Sequence, residues 1–237
     1  SYLDHRQVEI TVEAGRPDSI TRTKLETMQA YGVTRISINP QTMQNHTLEK
    51  IGRKHMSEDI VGCFHLAREV GFEHINMDII LGLPGEKLND VRSTFDQLFR
   101  LNPESITVHT LAFKRGSELN DEKEKYLIHG VEELQKCIDF VEITMKEHFY
   151  KPYYLYRQKQ MIGQFENIGY CKTGCESIYN IRIMEEVESV VAFGAGAISK
   201  HVTGNKIHRQ EQPKDVNTYL NKIDKIILNK EEFFSIL

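Results

Sequence analysis

The 237-residue chain is 40% hydrophobic and 27% charged, enough apolar content to bury one large core or two small ones. Its formal net charge of −4 supplies no overall basic field, which excludes nucleic-acid binding by bulk electrostatics and leaves room only for a local basic pocket. No apolar run approaches the ~18 residues that span a bilayer and the first residues lack a secretory apolar stretch, so the expectation is a cytoplasmic protein without membrane partners, whose Cys63, Cys137, Cys171 and Cys175 are reduced thiols.

In chain order, period-2 and period-3.6 stretches alternate. Residues 8–14 read as a strand, 23–32 as a helix and 34–41 as a strand. Residues 57–71 carry a helical stripe of Ile60, Phe64 and Ala67. A strand follows over 74–82, then a helix marked by Leu88, Val91, Phe95 and Leu98. Residues 105–113 form the fourth strand and about 122–149 a long helix, while 213–234 read as a closing helix. Gly32, Gly71 and Asn102 each stand four residues before a strand isoleucine, Ile36, Ile75 and Ile106, and read as left-handed helix stops. Strands joined by helices in this way pair in parallel through right-handed crossovers, which predicts an α/β barrel or open sheet.

Each strand has one apolar and one polar face. Val12, Ile36, Ile38, Ile75, Met77, Ile79, Ile106 and Val108 oppose Glu13, Ser37, Asn39, Gln41, Asn76, Asp78, Thr107 and His109. An antiparallel sheet with one wet face would also alternate, but helix-length connections argue against it. If helices cover the apolar faces, the polar sets share an interior, and leaving each group unpaired there would cost roughly 2–7 kcal/mol. That interior must hold water or a polar ligand. Glu13, Gln41 and Asp78 fall at strand carboxyl ends, where ligands bind in such sheets, and Gly82, Pro84 and Gly85 turn the chain over the mouth.

Other features carry less. Residues 194–197, Gly-Ala-Gly-Ala, do not complete a dinucleotide-binding fingerprint, and Gly82–Glu86 lacks the Gly-Lys-Ser/Thr ending of a phosphate loop. His46, His55, His65 and His74 lack metal-ligand spacing and read as surface residues.

The motifs SINPQTM (37–43), IGRKH (51–55) and NMDIILGLPGE (76–86) resemble the oxygen-independent coproporphyrinogen III oxidase family of radical S-adenosylmethionine (SAM) enzymes. YYLYRQKQMIGQFENIGY (153–170) and VVAFGAGAISK (190–200) are similar to its coproporphyrinogen dehydrogenase branch. The resemblance implies a partial (β/α) barrel over 1–150 with a C-terminal α+β substrate or closing region over 151–237. It implies SAM bound against a [4Fe-4S] cluster, an electron donor, and radical abstraction of hydrogen from a propionate of a porphyrinogen, with loss of CO2 to leave a vinyl group. It carries Glu13, Gln41, Arg53, Asp78 and the backbone at Ala112 over to the SAM site, and Ile198 to a cavity for substrate or a second SAM. Haem carriers of the same superfamily share the short motifs. The family's Cys-x3-Cys-x2-Cys loop has no counterpart here, so the resemblance implies a fragment lacking the first βα units and inactive alone, with Cys171 and Cys175 as loop thiols. Tyr150, Tyr153, Tyr154 and Tyr156, near Arg157, Lys159 and Lys172, would suit either a flat carboxylated tetrapyrrole or an amphipathic core edge.

Overall fold

The computed structural model of the chain describes residues 8–112, 123–157, 165–204 and 206–235, the side chains of 123–129 excepted. Four parallel strands, β1 (Thr11–Gly15), β2 (Arg35–Gln41), β3 (His74–Leu81) and β4 (Ser105–Thr110), alternate with helices α1 (Arg22–Ala30), α2 (Asn45–Lys50), α3 (Ser57–Val70) and α4 (Leu88–Leu101). After α5 (Lys123–Glu147) come β5 (Lys151–Tyr156) and β6 (Asn167–Cys171), which give a six-stranded sheet of order β1-β2-β3-β4-β6-β5. β6 lies antiparallel to both of its neighbours.

Local chemistry explains the boundaries. The Thr21 hydroxyl accepts from Lys24 N–H at the start of α1. The Asp59 and Asp90 carboxylates accept from the backbone N–H of Met56 and Lys87, at 2.8 and 2.9 Å, at the starts of α3 and α4. Gly32, Gly71 and Asn102 all adopt positive φ, so each helix stop turns the chain into the next strand as its residue type favours. α2 carries no apolar stripe long enough to read from sequence. The expected strand over 105–113 is hydrogen-bonded through Thr110, and its last residue lies outside the described residues.

The apolar faces of β2, β3 and β4 form the core with α1, α3, α4 and α5. Ile36, Ile38, Ile75, Met77 and Ile106 are completely buried there, beneath Leu25, Ile60, Phe64 and Phe95. Tyr150 joins this side: its hydroxyl donates to Pro103 O (2.5 Å), and Lys172 lies over its ring. The core-edge reading therefore holds for Tyr150. Lys172 also bonds Asn102 O and pairs with Glu104, while Arg157 pairs with Glu166; Lys159 lies outside the described residues.

The chain separates into two compact units, one ending at Ile178 and the other spanning Tyr179–Leu237. Because β5 and β6 hydrogen-bond into the large sheet, the separation falls after Ile178 and not at 150. The second unit holds most of α6 (Ile178–Glu185), a hairpin of β7 (Ile198–Thr203) and β8 (Lys206–Glu211), and helices α7 (Val216–Asn221) and α8 (Ile223–Ser235). The expected single closing helix is thus two, with Asp215 capping α7 through Thr218 N–H (2.8 Å). Inside this unit Lys230 Nζ donates to Ser199 Oγ and Ala192 O, both at 2.7 Å. No described helix is long and apolar enough to cross a membrane.

Candidate functional site

Strand register stacks the polar side chains in rows. Glu13 pairs with Ser37, and Ser37 with Asn76; Asp78 pairs with Thr107, Thr107 with Gly169 and Gly169 with Tyr154. Ile80 pairs with His109 one row further along. Since paired residues of neighbouring strands share a face, Glu13, Ser37, Asn76, Asp78, Thr107, His109 and Tyr154 occupy one side of the sheet, opposite the helix-covered core.

Most of these groups are bonded to one another. Asn76 Nδ2 donates to Asp78 Oδ1 (2.7 Å) and Ser37 Oγ (3.3 Å), and Thr107 Oγ1 donates to Asn76 Oδ1 (3.1 Å). With the Thr107 proton so engaged, the Tyr154 hydroxyl at 3.3 Å donates to Thr107. Tyr156 OH lies 3.1 Å from His109 Nδ1, and His109 Nε2 lies 3.7 Å from Asp78 Oδ2. A Cβ on Gly169 would come within 1.8 Å of the Tyr154 ring, so only glycine lets that ring lie flat on the sheet.

Glu13 is a perturbed carboxylate of this face. It is accessible along the open edge strand, yet partial burial raises its pKa and the neighbouring charge of Asp78 raises it further, against hydrogen bonds from Asn39 and Ser37 and the field of His109. Beside it, Asn39 Oδ1 is buried without a hydrogen-bond partner among the described residues. An orphaned acceptor next to two carboxylates fits a ligand that brings donors and positive charge.

The amino-terminal end of the face is closed. Arg35, only 5% exposed, donates to Cys175 O (2.8 Å), Glu176 O (3.2 Å) and Ser105 Oγ (3.4 Å), and Glu9 accepts from Ser177 Oγ (2.9 Å) and Ile178 N–H (3.1 Å). The segment after β6 therefore floors this end of the polar face.

The expected site residues distribute as follows. Glu13 and Asp78 come together. Gln41 ends β2 at φ 72° with its side chain buried, and its Nε2 lies 3.5 Å from the carbonyl of Asn39, whose amide holds Glu13. Arg53 follows α2 in a separate cluster with Arg16, Asp18 and His55. His55 is not a surface residue: it is 3% exposed, its Nδ1 lies 3.8 Å from Asp18 Oδ1, and burial, then the charge of Arg53, lowers its pKa. Ala112 lies just past β4, where Leu111 N–H still bonds Leu81 O (2.9 Å). Ile198 opens β7 in the second unit and is exposed. His109 and Asn76 are the members that side-chain type alone does not single out, and their parity with Thr107 and Asp78 along β4 and β3 marks them; Tyr154 stands out as a tyrosine, but its place on this face depends on the pairing of β5 with β6.

The cysteines do not fit an iron–sulfur cluster. Cys63, Cys137 and Cys171 are buried on α3, α5 and β6, so Cys171 is a strand and not a loop thiol. Burial pushes their thiols up to about 11, 11 and 12, which keeps them protonated, and no three His, Cys, Asp or Glu side chains converge to hold a metal ion among the described residues.

Residues 2–98 match the family model described as Radical SAM superfamily. The chain is 49% identical over 94% of its length to the oxygen-independent coproporphyrinogen-III oxidase-like protein HemZ of Bacillus subtilis, covering 45% of that protein. It is 32% identical over 80% of its length to the heme chaperone HemW of the same organism, covering 47% of it. The chain thus spans about half the length of these curated relatives. In fold it is similar to the coproporphyrinogen III oxidase HemN of Escherichia coli, a radical SAM enzyme, with a TM-score of 0.70 and 18% identity over 92% of this chain and 49% of that one. Residues 2–98 thus belong to the radical SAM superfamily, and the chain is similar to oxygen-independent coproporphyrinogen-III oxidase-like proteins.

Proposed function

We propose that the whole protein of which this chain forms the sheet decarboxylates coproporphyrinogen III oxidatively, turning propionates into vinyl groups for haem synthesis in the cytoplasm. The observation that carries the reading is the polar sheet face, where Glu13, midway along β1, and Asp78, past the middle of β3, gather beside an orphaned Asn39 acceptor. The 49% identity to HemZ supports the substrate class. SAM supplies hydrogen-abstraction chemistry when bound and reduced by an electron donor.

In this reading the chain's own residues bind and orient. Asp78, held at Oδ1 by Asn76, accepts from ribose hydroxyls. Glu13 and Asn39 Oδ1 accept from the methionyl amine, Arg53 pairs with the methionyl carboxylate, and the strand-end backbone at Gln41 and Ala112 borders the adenosyl group. The Arg35-held floor excludes water from the closed end.

The test is anaerobic incubation of the whole protein, with its cluster reconstituted, with SAM, a reductant and coproporphyrinogen III. Vinyl product, CO2 and methionine are expected. A second reading rests on the 32% identity to HemW: stable haem binding with no vinyl product would make the protein a haem carrier and overturn the enzymatic reading.

A further inference from the structure

We propose that His109 is a ribose-binding residue, which donates from Nε2 to the same hydroxyl that Asp78 accepts from; this rests on the SAM-binding reading above. The geometry is specific. Asp78 Oδ1 is occupied by Asn76 Nδ2 at 2.7 Å, so the oxygen that faces His109 is Oδ2. Its distance to Nε2 is 3.7 Å, beyond the ~3.2 Å limit of a direct N–H···O bond. A carboxylate draws the imidazole proton to the nitrogen that faces it. Nε2 therefore carries the hydrogen, and Nδ1 is left to accept from the Tyr156 hydroxyl at 3.1 Å.

The outcome is an N–H donor and a carboxylate acceptor aimed at one gap, with the two side chains 23% and 16% exposed and so open to a ligand. A hydroxyl is the group that uses both, because its O–H donates to Oδ2 while its oxygen accepts from Nε2–H. An ammonium would satisfy Asp78 and face Nε2–H with a further donor. A carboxylate would satisfy His109 and be repelled by Asp78. Asp78 by itself takes only the proton of a ribose hydroxyl and leaves its oxygen without a donor. Tyr156 is the positioning residue, since its bond to Nδ1 fixes both the tautomer and the ring orientation.

The proposal is tested by calorimetric titration of SAM, 2′-deoxy-SAM and 3′-deoxy-SAM into the whole cluster-loaded protein and its variants. His109→Phe is expected to weaken SAM about tenfold, as for loss of one ligand hydrogen bond. His109→Gln, which keeps a donor, should stay within about threefold, and it guards against a His109→Phe protein that fails to fold. One of the two deoxy analogues should lose affinity in the wild type but much less in His109→Phe, and Tyr156→Phe should shrink the same difference partway. SAM affinity unchanged in His109→Phe, or deoxy penalties identical in wild type and variant, overturns the proposal while leaving the SAM site in place. Failure of the wild-type protein to bind SAM overturns the functional reading and this proposal together.

Discussion

Glu13 carries its charge against its surroundings. Burial first, and Asp78 second, raise its pKa above the ordinary value of 4.5, so folding makes this carboxyl easier to protonate. Between 4.5 and the raised value the folded state binds more proton than the unfolded state, and the stability tied to this group falls as pH rises through that window. Glu13→Gln, which keeps the shape and removes the charge, should therefore raise the thermal midpoint by a small amount at pH 7. The gain should vanish toward pH 4, and scanning calorimetry at the two pH values checks it. Asp78 is legible in the sequence because a charge inside an apolar strand needs a partner, and the alternation around it says which side the partner is on. His55 is not legible. Nothing local separates it from His46 or His65, and its burial depends on the turn after β1 bringing Asp18 beside it.

At the scale of elements, helix-to-strand joins do more than reverse the chain. Arg68, in the last turn of α3, donates through Nη1 to Phe72 O (2.9 Å) and Glu73 O (2.7 Å) and through Nη2 to both carboxylate oxygens of Glu104 (2.8 and 2.6 Å). Glu104 in turn accepts from Ile75 N–H at 3.1 Å. One guanidinium thus locks the joins that feed β3 and β4 into the same register, which is the register that places Asp78 beside Thr107. Arg68→Ala should destabilise the chain by about 1–3 kcal/mol, since it strands part-buried acceptors. Urea unfolding with an unchanged slope would record it. The parallel strands and their helices are legible because periodicity, left-handed stops and helix-length connections agree along 8–112. β5 and β6 are not legible as sheet members, because antiparallel addition to β4 is a long-range choice that no local pattern encodes. The division between the units moves with them.

For the whole molecule, the sheet order explains why residues far apart in sequence share one wall. β6 and β5 extend the polar face past β4, and so bring Tyr154 and Tyr156 against Thr107 and His109, each 47 residues away in the chain. The four-strand α/β core follows from periodicity and the resemblance to a radical SAM family from short motifs read in order, whereas the floor built by Arg35 depends on residues separated by up to 141 positions. The crowding of Glu13 and Asp78 also means that this wall chooses its guests by sign. Two like charges on one wall repel each other, which a cation relieves and a neutral molecule of the same outline does not. S-adenosylhomocysteine, which lacks the sulfonium charge, should accordingly bind about tenfold more weakly than SAM, roughly 1.4 kcal/mol, and Glu13→Gln should narrow that ratio in competition titrations. A site poised in this way lets go once its occupant's positive charge is gone, so turnover itself would loosen the grip.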